Sequence, residues 1–218
     1  MDLSNKDTEF SIIQPKKDCC SCRSFFFIEG YNTRKSIKTM EAAELAKRLK
    51  DYVWETLRRS EDYLYKVYIY DCEPLDKNVP MPPIEKTDKS KNLSKTTTYK
   101  FRSELLKHLR KQPYFAVRLG EIDVSELSNE DFVIDIKQKG VDMKVGLDIA
   151  TLANKHQVEK IILITSDSDF VPAVKHARKE GLIVQLDTMR FPETRIKKGL
   201  LEHIDILSSV FINKNKKW

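Results

Sequence analysis

The sequence predicts an α/β fold in which a mostly parallel β-sheet carries helices on both faces. Short runs rich in apolar, β-branched and aromatic residues alternate along the chain with longer segments whose apolar residues recur at helical spacing. Some strand-like runs, such as KIILIT at residues 160–165, are strongly apolar, which is typical of strands buried on both sides.

Seven segments have the composition of strands or of extended chain. The first, SFFFI, is a short apolar run that a turn at Glu29-Gly30 ends. The second, YKVYIY, combines aromatic and β-branched residues. The seven predicted segments are residues 24–28, 65–70, 114–119, 132–137, 160–165, 182–187 and 204–212.

Five segments predict helices. The first contains neither Gly nor Pro, its apolar residues follow helical spacing, and Thr39 is expected to cap it. Pro172 falls in the first turn of a later helix, where it is tolerated, and Gly181 ends that helix. The predicted helices are residues 39–59, 100–111, 142–155, 170–180 and 194–202.

The length of the chain, 218 residues, predicts one domain with tails. Residues 1–22 show no sustained periodicity and are interpreted as a flexible leader, 23–212 as the domain, and 213–218 as a basic tail. Residues 72–99, rich in Pro and then in Lys, Ser and Thr, predict a long irregular loop, and loops of this length inside a domain are usually functional or mobile.

The charge of the chain favours a polyanionic partner, because Lys and Arg exceed Asp and Glu by a net charge of +6. Basic residues that are candidates for contact with phosphates are Lys95, Lys139, Lys144, Lys197 and Lys198. The other interpretation of such lysines is a solvated surface.

No apolar run is long enough for a membrane helix and the N-terminus is polar, so we expect a cytoplasmic protein.

The cysteines predict free thiols. Cys19 and Cys22 form one CxxC pair, but there is no second pair and no nearby histidine to complete a tetrahedral zinc site.

Acidic residues follow several predicted strands at the point where each strand ends. Glu29 follows the first strand, and Asp167 and Asp169 follow the strand at 160–165. Ligands of open parallel sheets bind at this edge, and carboxylates that meet there repel one another unless a cation lies between them. Oxygen ligands suit Mg²⁺ or Mn²⁺, which activate water and stabilise charge on a phosphate during hydrolysis.

Each of these residues also has a structural interpretation. Asp169 or Ser168 could cap the helix that follows, and Asp142 could be a carboxylate favoured by a helix dipole. Asp71 and Asp187 are better explained as strand-end residues. At 100° per residue, Asp142 aligns with the apolar stripe of its helix and is expected to face the sheet, whereas Asp148 falls on the polar face.

Two blocks of sequence closely resemble the NYN domain. The first is Lys139-Gly140-Val141-Asp142 with the helix containing Leu147-Asp148. The second is Ile164-Thr165-Ser166-Asp167-Ser168-Asp169-Phe170-Val171-Pro172. The likeness is to the LabA-like branch of the PIN-like nucleases. Phe27-Ile28-Glu29-Gly30-Tyr31-Asn32 is similar to the first-strand motif of that family. The resemblance covers about residues 24–190.

This resemblance implies a Rossmann-like, PIN-like sheet and a ribonuclease site that depends on Mg²⁺ or Mn²⁺, with RNA as substrate. Carried over residue by residue, Glu29, Asp142, Asp167 and Asp169 would be the catalytic metal ligands. Asn32 and Ser166 would be supporting polar residues. The chain departs from the family at Glu29, where the family usually has Asp, so this carboxylate sits one methylene further from the backbone.

Other functions remain open at this point. A degenerate domain that binds RNA or a protein without cutting is the main alternative. A haloacid-dehalogenase-type phosphohydrolase needs Asp-x-Asp directly after its first strand, and a dinucleotide enzyme needs G-x-G-x-x-G, and the sequence has neither. The sequence does not fix the oligomeric state, and a homodimer is one option.

Overall fold

The computed structural model describes residues 40–76, 94–122, 139–165, 167–189 and 196–208 with their side chains. It describes residues 23–29, 78–80, 90–93, 123–126 and 134–138 as backbone. The strands in these residues are β1 (Arg23–Glu29), β2 (Tyr63–Cys72), β3 (Asn78–Pro80), β4 (Ser90–Asn92), β5 (Phe115–Glu126), β6 (Ile134–Lys139), β7 (Lys160–Ile164), β8 (Ile183–Asp187) and β9 (Ile206–Ser208). The helices are α1 (Ala42–Ser60), α2 (Thr97–Arg110), α3 (Val141–Asn154), α4 (Val171–Lys179) and α5 (Lys198–Leu201).

A seven-stranded sheet organises the chain, in the order β6-β5-β2-β1-β7-β8-β9. Its neighbouring strands pair in parallel except β5 and β6, which are antiparallel. The mostly parallel sheet predicted from the sequence is therefore confirmed. All five residues of β7 are buried, as expected for a central strand covered on both faces.

Helices cover both faces of the sheet, as predicted. On one face, α1 and α2 pack residues such as Leu45 and Leu109 against Val67 and Ile162. On the other face, the cores of α3, α4 and α5 contact Ile161, Leu163 and Tyr70. Burying one large apolar side chain completely contributes about 2 kcal/mol, so these two cores fix the positions of the strands and helices.

The segment between β2 and β5 is more regular than predicted. Within the predicted loop at 72–99, β3 and β4 form a two-stranded antiparallel sheet, and a 3-10 turn spans Leu93–Lys95. Helix α2 begins at Thr97 because the Thr96 side chain accepts a hydrogen bond from the backbone N–H of Tyr99, which caps the helix. Helix α1 begins at Ala42, and its predicted cap, Thr39, lies outside the described residues.

β5 extends beyond the carboxyl end of β2, and β6 runs back antiparallel to this extension. Cys72, the last residue of β2, pairs with Gly120, whereas β6 pairs only with the later part of β5, Glu121 to Glu126. Lys139 thus returns opposite Glu121, and α3 begins two residues later, at the carboxyl edge of the sheet.

None of the described helices combines the length and the apolar character that crossing a membrane requires.

Candidate functional site

The two aspartates after β7 lie in a tight turn at the carboxyl edge of the sheet. Asp167 precedes a 3-10 turn, Ser168–Phe170, and its Oδ1 accepts the backbone N–H of Asp169 at 3.2 Å. The backbone N–H of Asp167 itself donates to Thr165 Oγ1 at 3.1 Å. Phe170 is buried in the core and anchors the turn. Asp167 thus caps the 3-10 turn. Asp169 and Ser168 were possible caps of the helix that follows, but the N-cap of α4 is Phe170, without a side-chain hydrogen bond, and the Asp169 side chain is exposed.

A lysine ammonium already binds the first of these carboxylates. Lys197 Nζ donates to Asp167 Oδ1 at 2.9 Å, and the charge of Asp169 also acts on Lys197. Burial opposes ionisation of Asp167, but the hydrogen bonds from Lys197 and the Asp169 backbone outweigh it and lower the pKa of this carboxyl group. Asp167 is therefore ionised at neutral pH and binds a cation.

Two glycines set the start of α3. Gly140 adopts the left-handed conformation, with φ of 77°, at the N-cap of the helix. A Cβ on Gly120 would lie 2.5 Å from the Lys139 carbonyl oxygen and 2.6 Å from Val141. Only glycine at position 120 therefore allows this turn to pack directly on β5, and the turn carries Asp142.

Asp142 and Asp148 exchange the environments that the sequence predicted for them. Asp142 is exposed in the first turn of α3, whereas Asp148 is half-buried toward β2. The side chains of a helix tilt toward its N-terminus, so Asp142, in the first turn, projects beyond the end of the helix and is exposed. The buried stripe of α3 begins at Val141 and includes Val145 and Leu152, and Asp148 flanks it.

The environment of Asp148 is a polar cluster that sequence reasoning missed. The Tyr70 hydroxyl donates to Asp148 Oδ2 at 2.8 Å, and Arg118 Nε lies 3.3 Å from the same oxygen. Arg118 also stacks on the ring of Tyr68, 4.7 Å from its centroid. Burial and the charge of Asp148 raise the pKa of Tyr70, so its hydroxyl stays protonated and remains a donor. If the buried stripe of the helix is taken to begin at Val141, 100° per residue places Asp148 on the face toward the sheet.

Glu29 is described through its backbone. It ends β1 and pairs with Tyr70 of β2, while Ile28 pairs with Ile164, the last residue of β7. The backbone at Glu29 therefore lies at the same sheet edge as the turn that holds Asp167. Asn32 and Ser166, the predicted supporting residues, lie outside the described residues.

The described side chains do not by themselves complete a metal centre. Among them, no three His, Cys, Asp or Glu residues lie close enough together to hold a metal ion. Asp167 and Asp169 share one turn, and α3, which begins beside Asp142, packs against that turn. The predicted set of four carboxylates includes Glu29, whose side chain is not described, and it stays a prediction.

The five lysines that the sequence selected as phosphate contacts are exposed, which is compatible with that role. Lys95 ends the 3-10 turn before α2, Lys139 ends β6, and Lys198 begins α5. Lys144 donates from Nζ to the carbonyl oxygen of Leu119, on the outer edge of β5. Lys197 contacts a predicted metal ligand, Asp167.

Two further aspartates at strand ends have structural partners, as predicted. Asp71 forms an ion pair with Arg102 of α2 and accepts the backbone N–H of Cys72. Asp187 is fully buried and accepts the Tyr52 hydroxyl of α1 and the backbone N–H of Met189. Burial raises the pKa of both carboxyl groups, more than their partners lower it.

Compared with known protein families, the chain matches the model of the NYN domain over residues 88–198, slightly more than half of its length. The matched span contains Asp142, Asp167, Asp169 and Lys197, whereas Glu29 precedes it. No curated protein and no solved structure matches the chain.

Proposed function

The chain belongs to the NYN domain family, part of the PIN-like nuclease superfamily, and on that premise we propose that it is a metal-dependent endoribonuclease. Within the family we assign it to the LabA-like branch. That assignment rests on the Lys139-Gly140-Val141-Asp142 block and on the Ser-Asp-Ser-Asp-Phe sequence that contains Asp167 and Asp169.

The observation that carries this proposal is the ionised carboxylate of Asp167, which binds the ammonium of Lys197 at the carboxyl edge of the sheet. A carboxylate with a lowered pKa and solvent access is a suitable ligand for a hard cation. Asp169 and Asp142 are exposed carboxylates on the adjoining turn and helix. The chemistry of these donors fits Mg²⁺ or Mn²⁺.

Glu29, Asp142, Asp167 and Asp169 would hold the ion, and Asn32 and Ser166 would support them. When bound, such an ion supplies Lewis acidity to a water molecule and to a phosphate. In this proposal Lys197 releases Asp167 and donates to a phosphate oxygen of RNA, which keeps the local charge balanced. Lys95, Lys139, Lys144 and Lys198 add attraction to the backbone of the RNA that depends little on sequence.

A second candidate is a domain that binds RNA or a protein without cutting. Two observations favour it: Glu29 replaces the usual Asp of the family, and Lys197 occupies an oxygen of Asp167 that a metal ligand would use. In that case Lys197 would permanently take the place of the metal beside Asp167. The exposed basic residues would then bind RNA without a metal ion.

Cleavage of RNA by the purified chain tests the proposal. With Mg²⁺ or Mn²⁺ we expect cleavage of single-stranded or structured RNA, and with EDTA none. Asp142→Asn and Asp167→Asn should each lower the rate about 100-fold or more, because each removes a charged ligand at nearly constant size. Asp51→Asn, which changes an exposed carboxylate on α1, is the matched control and should retain full activity. Full activity in EDTA or in the Asp167→Asn protein would contradict the proposal.

A further inference from the structure

The guanidinium of Arg118, on β5 beside α3, is held by an aromatic ring and a carboxylate. It lies over the ring of Tyr68, 4.7 Å from the centroid, and its Nη2 lies 3.4 Å from the Tyr68 hydroxyl. Asp148 binds the edge of the same group, with Nε 3.3 Å from Oδ2 and Nη2 3.4 Å from Oδ1. These contacts fix the guanidinium in one orientation.

This guanidinium remains accessible to solvent although both groups hold it. The side chain of Arg118 is 44% exposed. Because the Tyr68 ring covers one face and Asp148 occupies the Nε edge, the exposed part includes the opposite face. A guanidinium plane that is held in place and open on one face is a surface on which an unpaired nucleobase can stack.

Anchoring α3 to the sheet does not need Arg118. Asp148 already accepts the Tyr70 hydroxyl at 2.8 Å, and Tyr70 is 1% exposed, so this hydrogen bond joins α3 to β2 at the core. An ion pair as exposed as the one between Arg118 and Asp148 contributes little to stability, because water screens it. The fold therefore leaves the role of the ordered, exposed guanidinium unexplained.

Arg118 lies level with the end of the first strand. It pairs with Tyr70 of β2, and Tyr70 pairs with Glu29, which ends β1. Neighbouring strands are about 4.8 Å apart, so the backbone of Arg118 lies roughly 10 Å from that of Glu29. The guanidinium is thus near the same edge of the sheet as the proposed metal site.

A lysine lies between this guanidinium and the start of α3. Lys144, one turn before Asp148 on the helix, donates to the carbonyl oxygen of Leu119, the residue after Arg118. Asp142, a proposed metal ligand, lies two residues before Lys144 and about 9 Å along the helix from Asp148. A single strand of RNA that reaches Asp142 along this flank of α3 passes both basic side chains.

We propose that a nucleobase of single-stranded RNA stacks on the open face of Arg118 while Lys144 binds a neighbouring phosphate. The charges support this division. Asp148 neutralises Arg118, so the guanidinium adds little attraction for phosphate, whereas Lys144 has no carboxylate partner among the described residues. The RNA is single-stranded because bases inside a duplex do not present their faces. This inference rests on the proposed RNA substrate but not on its cleavage.

The affinity of the full chain for two oligomers of equal length tests this stacking site. One is an oligoadenylate of about ten nucleotides, and the other is the same ribose-phosphate chain with every base removed. Both affinities are measured in EDTA, so that cleavage does not compete. Arg118→Lys keeps the charge but removes the planar group, so it should weaken oligoadenylate binding at least ~5-fold and leave binding of the abasic oligomer unchanged. Arg110→Lys, on the exposed surface of α2, is the matched control and should change neither affinity.

Two further variants separate the base from the phosphate. Tyr68→Leu removes the ring beneath the guanidinium and should reproduce the pattern of Arg118→Lys. Lys144→Gln should weaken binding of both oligomers and lower the slope of log affinity against log salt by about 0.7, as for one phosphate of a single strand. Far-ultraviolet circular dichroism confirms that each variant is folded.

An equal loss of affinity for both oligomers in Arg118→Lys would overturn the proposal, because Arg118 would then contact the RNA backbone. Unchanged oligoadenylate binding in both Arg118→Lys and Tyr68→Leu would also overturn it, as would a wild type that binds neither oligomer. The expected pattern in a chain that leaves RNA uncut with Mg²⁺ or Mn²⁺ would support the stacking site and contradict the nuclease proposal.

Discussion

Lys197 Nζ donates a hydrogen bond to Asp167 Oδ1 at 2.9 Å, across 30 residues of sequence. The partner that holds Asp167 ionised is therefore a cation that RNA can also attract. This pair links the two halves of the proposed site, the acidic residues that would hold metal and the basic residues that would hold phosphate.

Lys197→Ala is predicted to affect metal and RNA in opposite directions. Without the ammonium, Asp167 Oδ1 is open to a divalent ion, so Mn²⁺ should bind at lower concentration in calorimetry. RNA affinity should fall, and the slope of log affinity against log salt should decrease by about 0.7 to 0.9, as for the loss of one phosphate contact. Lys198→Ala, next in the chain and without contact to Asp167 among the hydrogen bonds of the described residues, is the control for metal affinity. Unchanged metal binding in Lys197→Ala would show that the ion pair does not compete with metal.

The sequence predicted the framework of this site better than its contacts. Apolar runs and helical spacing located β7 and α4 to within a residue or two, because burial on a central strand leaves a direct pattern in the sequence. The carboxyl edge of the sheet then followed from the parallel topology, and with it the position of Asp167.

The partners of the site residues could not be predicted in the same way. Tyr70 and Asp148 are 78 residues apart, and their hydrogen bond depends on how α3 lies across β2. Asp142 aligns with the apolar stripe of α3 by its position in the sequence, yet it is exposed. Side chains tilt toward the start of a helix, so a residue in the first turn has no preceding turn to lie over.

Gly120→Ala is predicted to destabilise the chain by about 1–3 kcal/mol, as expected for a side chain forced into a closely packed site. The new Cβ would collide with the Lys139 carbonyl oxygen and Val141, so the start of α3 must move. Urea unfolding measures the loss. Gly199→Ala is the control, because a Cβ at Gly199 meets nothing within 4 Å. If Gly120→Ala is as stable as the wild type, the close approach of β5 and α3 is wrong, and with it the position of Asp142.

Two substitutions at Glu29 distinguish the two candidate functions. If the chain is a nuclease, Glu29→Gln keeps the size but removes the charge, so metal binding should weaken and cleavage should slow strongly. Glu29→Asp should retain at least part of the activity, because it keeps the charge and matches the residue usual in the family. Cleavage rates and RNA affinities are measured for the wild type and both variants.

A binding domain predicts a different pattern for the same proteins. The wild type would be inactive, and RNA affinity would be the same in Glu29→Gln. An active wild type that Glu29→Gln leaves unchanged would remove Glu29 from the site and leave the three aspartates to hold the metal.

Asp187→Asn is predicted to change stability in a way that depends on pH. Burial raises the pKa of Asp187 above its ordinary value of about 3.9, although the Tyr52 hydroxyl and the Met189 backbone partly oppose this. The folded chain thus holds this proton more tightly than the unfolded chain does. The stability that this proton provides is fully present below about pH 4 and is lost as pH rises through the raised pKa of the folded state.

The asparagine variant does not titrate at this position, so the comparison isolates Asp187. Relative to the wild type, Asp187→Asn should gain stability from about pH 4 upward, by at most about 1.4 kcal/mol per pH unit, and then level off. Urea unfolding between acid and mildly alkaline pH measures the difference. The raised pKa of Asp71 is present in both proteins and cancels, and Asp51→Asn serves as the exposed control. A stability difference between Asp187→Asn and the wild type that is constant with pH would mean that Asp187 has its ordinary pKa. The buried carboxyl group would then be ionised, with Tyr52 as its main stabilising partner.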